Sequence, residues 1–177
     1  MGDTSNDKPA AAWHSIGSLD LRALALFRVA LGLVVALDAV WRLVDVEAFY
    51  ADTGTRPRHH PILESLWQTP SLYAFDGSIA YASVLLIATA LVGLVFAVGY
   101  RTRIAAVAQW VLVISVQNRN PQVESGADSV LGMLCLLACF LPLAARFSLD
   151  ARRTDTPRAQ SVSTWATFAF VLQLVVI

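Results

Sequence analysis

The chain has 177 residues, 56% hydrophobic and 15% charged, with a mean hydropathy of +0.59. Roughly half apolar is the norm for a soluble domain, and here the charges cluster between long apolar runs, which points to a membrane as solvent. The thirteen basic and thirteen acidic residues cancel, so there is no basic excess of the kind a nucleic-acid partner needs.

Met1 to Ser18 is polar and rich in small residues and reads as a flexible tail; residues 19–177 read as one transmembrane domain. Asp20 is placed to cap a first helix from Leu21 to about Val44. That run is too long and too charged for a cleaved signal peptide. A long polar and aromatic loop follows from Asp45 to Gly77, broken by Gly54, Pro57, Pro61 and Pro70. Within it Pro61 to Trp67 suits a short helix lying in the interface. Ser78 to Val98 is the clearest span, with Tyr81 and Tyr100 near its ends. A basic turn, Gly99 to Arg103, leads to a third span from Ile104 to Val116, ended by Asn118-Arg119-Asn120-Pro121. Asp128 or Ser129 caps a fourth span reaching about Ala145. After a basic loop from Arg146 to Ser161, Trp165 to Ile177 begins a fifth. That run offers about a dozen apolar residues where a crossing needs ~20, so the expectation is a domain truncated at its C-terminal end, a fragment of a longer protein. The fold class expected is an all-α membrane protein of about five transmembrane helices, the last incomplete, with a long outer loop between the first two.

With five spans, Lys8, Arg101, Arg103, Arg146, Arg152, Arg153 and Arg158 share one side of the membrane. Arg42, Arg56, Arg58 and Arg119 lie on the other side, diluted by acidic residues. The positive-inside rule puts the N-terminus in the cytoplasm, in a plasma-membrane protein whose first long loop faces outward.

Several stretches, taken in order, resemble one family. They are Ala25-Leu26-Phe27-Arg28-Val29-Ala30-Leu31-Gly32; Ala48-Phe49-Tyr50 with Gly54, Pro57 and Arg58; Gly99-Tyr100-Arg101-Thr102-Arg103; Asn118-Arg119-Asn120-Pro121 with Asp128; and Leu141-Pro142-Leu143 with Phe147-Ser148-Leu149-Asp150. Their order and spacing resemble the HTTM (horizontally transferred transmembrane) domain, shared by vitamin K-dependent gamma-carboxylase and many prokaryotic proteins. The resemblance covers residues 15–177 and implies a membrane fold. It also implies a quinone or vitamin K-like cofactor. In the carboxylase a lysine beyond this region is taken as the base, a role that needs burial to keep it neutral. The only lysine here is Lys8, in the tail, so the resemblance does not extend to carboxylase activity for this chain.

Read as residues, the candidate ligand-binding set is Arg28, Asp38, Arg42, Asn118, Arg119, Asn120 and Asp128. Asp20, Arg28, Asp38, Arg42 and Asp45 fall within an arc of roughly 100° on the first helix. At hydrocarbon depth such charges must face protein or a wet cavity. Either Arg28 snorkels and Asp38 pairs with Arg42 one turn on, or the face lines a substrate or quinone cavity. The Asn118–Pro121 turn either faces a ligand or simply ends a helix, because the third span, at ~21 Å from Arg103 to Asn118, is short for the ~30 Å core. Glu124 and Asp128 are near enough to balance Arg119. The adjacent histidines His59 and His60 suit a solvated loop better than a metal. Cys135 and Cys139 suit packing, and Gly32 close helix contact. No catalytic or metal site emerges. Three functions remain in competition: an HTTM-type redox or carboxylation enzyme present in part, a non-enzymatic module that binds lipid or quinone or assembles with a partner, and a DoxX-like quinone-linked protein, against which the long first loop counts.

Overall fold

The computed structural model describes residues 18–55, 57, 70–143, 148–152 and 161–163. The N-terminal tail, Arg56, Arg58, the histidine pair, the interfacial helix at Pro61–Trp67, most of the Arg146–Ser161 loop and the fifth span from Trp165 lie outside the described residues. The fold is helical: α1 (Leu21–Arg42), α2 (Val46–Tyr50), α3 (Ile79–Val98), α4 (Thr102–Arg119), α5 (Gly126–Ala138) and α6 (Leu149–Arg152), with a 3-10 turn at Leu72–Ala74. A short antiparallel pair joins β1 (Ser18–Asp20) to β2 (Ser161–Ser163), with Leu19 opposite Val162. Three-residue strands carry no readable period, which is why the sequence gives no hint of them. Asp20, expected to cap α1, lies in the strand that runs straight into it.

Helices α1 and α3 run antiparallel in close contact. A Cβ on Gly32 would lie 2.5 Å from the Gly93 carbonyl oxygen, and one on Gly93 2.8 Å from that of Gly32, so the backbones touch where neither residue has a side chain. Apart from Leu86 and Phe96, the buried positions of α3 are small: Ala82, Thr89, Ala90, Gly93 and Ala97. Its exposed positions include Val84, Ile87, Leu91, Leu94 and Val98, and α1 likewise exposes Leu26, Leu33, Leu37 and Trp41. On α3, large apolar side chains outside and mostly small ones inside reverse the order of a soluble core and fit a hydrocarbon surrounding. Among the described residues, α1 and α3 are long and apolar enough to cross a membrane.

The helix boundaries correct the sequence reading in two places. Helix α4 holds 18 residues, about 27 Å, because Asn118 and Arg119 are its last turn. The break comes one residue later, at Asn120, ahead of Pro121. Helix α5 begins earlier and ends sooner than expected. Ser125 is its N-cap, and Asp128, in the third helical position, closes a capping box: its Oδ2 accepts from the Ser125 backbone N–H at 2.8 Å and the Ser125 hydroxyl at 3.0 Å. The helix stops at Ala138, before Pro142, leaving 13 residues rather than a span reaching Ala145.

Candidate functional site

Two ends of the bundle carry its buried charges. At one end the C-termini of α1 and α4 meet the N-termini of α3 and α5. There the guanidinium of Arg42 donates to three acceptors from three elements. Nε reaches Asp38 Oδ2 at 2.7 Å, one turn back on α1; Nη1 reaches the Tyr50 hydroxyl at 2.6 Å, on α2; and Nη2 bonds Asp128 Oδ1, on α5. The fixed fork of an arginine suits this task, since its donors diverge in one plane. Gln117 on α4 adds a fourth element by donating from Nε2 to the Asp128 carbonyl at 2.6 Å. The expected Asp38–Arg42 pairing is therefore present, but as one arm of a wider junction.

Beside this junction lies a small cavity lined by Asp38, Ala39, Arg42, Leu86, Val116 and Gln117, among others. Its open space is ≈ 10 Å³, about one water. Tyr50 and Tyr73 pack next to it, ring centroids 6.0 Å apart. Burial pushes the Tyr50 phenol above its usual range, offset in part by the Arg42 hydrogen bond, and pushes Tyr73 further up. Both shifts favour the neutral phenol. The Tyr73 hydroxyl is buried without a hydrogen-bond partner among the described residues.

The Asn118-Arg119-Asn120 turn grips the long loop. Asn118 Nδ2 donates to the Pro70 carbonyl at 2.8 Å, Arg119 Nε to that of Tyr50 at 3.0 Å, and Asn120 Nδ2 to that of Phe49 at 3.2 Å. Arg119 Nη2 also pairs with Asp52 Oδ1 at 3.1 Å. The Ser71 hydroxyl adds a bond to the Ser115 carbonyl at 2.6 Å. The polar residues of this turn hold both ends of the Asp45–Gly77 loop.

Arg28 stands apart. Fourteen residues before Arg42, it lies about 21 Å away along α1, so Arg28, Asp38 and Arg42 do not line one cavity. It does not snorkel: it is 0% exposed, with Nε donating to the Ala97 carbonyl at 3.3 Å and Nη1 to the Leu143 carbonyl at 2.8 Å. Gly99, at φ +77°, passes directly over it; a Cβ there would lie 2.8 Å from Arg28 Nη1 and 2.5 Å from Ser148 Cβ. Asp150 closes this end. Its carboxylate accepts from the Arg101 and Thr102 backbone N–H groups at 3.0 and 2.8 Å and from the Thr102 hydroxyl at 2.9 Å, so a residue 48 positions away caps α4.

The model of the HTTM domain matches residues 17–177. The chain belongs to the HTTM domain family. HTTM is a membrane domain, which agrees with the apolar exterior of α1 and α3. No curated protein and no solved structure matches significantly. Within this HTTM chain the structure separates the seven candidate residues into three places: Asp38, Arg42 and Asp128 at the junction, Asn118, Arg119 and Asn120 on the loop, and Arg28 at the far end. Sequence reasoning missed Tyr50, Asp52, Gln117 and Asp150 as their partners, and Tyr73 as the ring packed on Tyr50. Only Tyr50 and Asp150 carried any signal, as members of the family stretches. Among the described residues no group of three His, Cys, Asp or Glu is placed to hold a metal.

Proposed function

We propose that the chain is a multi-pass membrane module of about five spans, the last incomplete, N-terminus in the cytoplasm, whose role is to anchor the two ends of a large outer loop on the outer end of the bundle. The observation that carries this reading is the arginine grip. Arg42 donates to Asp38, to the Tyr50 hydroxyl on α2 and to Asp128 on α5, and Arg119 to the Tyr50 carbonyl and the Asp52 carboxylate, so both are committed to holding the loop and its neighbours. Exposed charge supports the orientation: Asp45, Glu47, Asp76 and Glu124 are exposed at the loop end, Arg22, Arg101 and Arg103 at the other. Five crossings require α4, α5 and the Trp165–Ile177 segment to complete what α1 and α3 begin.

The topology is tested by single cysteines in a Cys135→Ala/Cys139→Ala background, labelled from outside intact cells. Labelling of Arg58→Cys with protection of Arg152→Cys is the expected result; the opposite pattern reverses the model.

The cavity beside Arg42 favours a second reading, a non-enzymatic lipid- or quinone-binding module. A water-sized space edged by Asp38, Arg42 and Gln117, with the Tyr73 hydroxyl, unbonded among the described residues, nearby, suits one polar group of a ligand whose apolar remainder lies between helices. Loss of quinone binding in Arg42→Gln at unchanged fold supports it; equal binding in Arg42→Gln and the parent sinks it. Carboxylation or redox catalysis would need residues beyond this set.

A further inference from the structure

The arginines at the two ends of the bundle differ in exposure. Arg42 and Arg119 are drawn inward, with side chains 15% and 6% exposed. Arg22, Arg101 and Arg103, at the Gly99 end, are exposed. That these three share one end follows from the helix pairing. Gly32 meets Gly93 and Ala97, and Arg28 meets Ala97 and Gly99, so the start of α1 lies alongside the turn into α4. Leu21 and Leu24 belong to the same buried cluster as Ala105 and Ala106, which puts Arg22 and Arg103 at the same end of the bundle.

Each arginine also ends an apolar stripe. On α1, Arg22 is followed one turn on by exposed Leu26, and then by Leu33 and Leu37. On α4, Arg103 is followed at four-residue intervals by exposed Val107 and Val111, with exposed Ile104 beside it. Arg101 follows Val98 and Tyr100 at the end of α3, its guanidinium carbon 5.9 Å from the Tyr100 ring centroid. Its backbone is the one non-glycine in the left-handed region among the described residues, φ 45°. Asp150, which accepts the Arg101 N–H, holds that turn in place. A turn so held keeps the Arg101 side chain at the rim instead of letting it continue a helix.

We infer that Arg22, Arg101 and Arg103 form a docking collar for anionic phospholipid headgroups in the leaflet at the Gly99 end. This rests on the membrane reading above. Charge complementarity selects the occupant: three exposed guanidiniums sit at the boundary where an apolar helix surface becomes polar, the depth at which a lipid phosphate lies when its chains cover that surface. A soluble anion would use the charges alone; a phospholipid uses the charges and the adjoining stripe.

The test is tryptophan quenching of the full chain in vesicles by brominated phosphatidylglycerol, measured against brominated phosphatidylcholine. The inference expects a several-fold preference for the anionic lipid that weakens with salt. It expects near-equal quenching in R22Q/R101Q/R103Q and preserved preference in the matching lysine variant. Equal quenching in the parent chain, or a preference unchanged in the glutamine variant, overturns it. Abolition of the preference by inorganic phosphate at matched ionic strength also overturns it, since that marks a general anion site. Flotation of the vesicles separates the two levels of failure: a chain that does not float with lipid overturns the membrane reading as well.

Discussion

The two ends of this bundle solve the problem of a buried arginine differently. At the Gly99 end, Arg28 is wholly enclosed and donates to the ends of two chain segments, the Ala97 and Leu143 carbonyls. At the loop end, Arg42 and Arg119 join side chains and loop backbone from several elements. The first is a local rivet that lets α1, α3 and the segment after α5 close over a charge. The second is a junction on which the loop depends. The difference teaches that family stretches of similar polarity do different work: one fixes the bundle, the other fixes what the bundle carries.

The largest expected effect is at the rivet. Arg28→Met removes a buried cation and leaves two buried carbonyls without their donor, a loss of ~3 kcal/mol, seen as a large drop in unfolding temperature in detergent. An unchanged melting temperature would mean that water or another group satisfies those carbonyls. Next is Arg42→Met, which strands Asp38 and Asp128 together and should lower stability by ~2–3 kcal/mol. The double variant Arg42→Met/Asp128→Leu should recover part of that loss, which a simple packing role for Arg42 would not give. Gly99→Ala should cost ~1–2 kcal/mol, because alanine must take a left-handed backbone over the Arg28 guanidinium.

The smallest effect is at Tyr73. Its hydroxyl is buried without a partner among the described residues, so Tyr73→Phe should be neutral or stabilising by up to ~1 kcal/mol. The same substitution sharpens the comparison at high pH. Because the folded phenol titrates above its unfolded value, its contribution is intact below ~10 and is lost as pH rises through the folded value. The alkaline fall in stability should therefore be shallower in Tyr73→Phe, and no shallower in a variant of the Gly99 end such as Thr102→Ser.

What the sequence disclosed, and what it withheld, follows from range. Helices α1 and α3 are legible because a long apolar run is a local signal, and Gly32 and the Asp38–Arg42 pair are legible because spacing of one helix turn is local too. The early stop of α5 at Ala138 is half legible, in Pro142. The separation of Arg28 from Asp38 and Arg42 was hidden, since a helical wheel gives angle and discards height. The partners of Asn118, Arg119 and Asn120 lie 48 to 71 residues away, and nothing in their neighbourhood names a loop carbonyl as the acceptor. Asp150 capping α4 belongs to the same class.

The claim that the loop is held by the arginine grip is tested most directly by hydrogen exchange on the parent and Arg119→Met. The amides of Asp52 and Thr55, bonded to the Gly77 and Ala48 carbonyls at 2.9 and 2.8 Å, should exchange slowly in the parent. They should exchange much faster in the variant, while amides of α1 and α3 around Arg28 and Ala97 keep their protection. Fast exchange at Asp52 and Thr55 in the parent, or equal protection in Arg119→Met, would contradict the account.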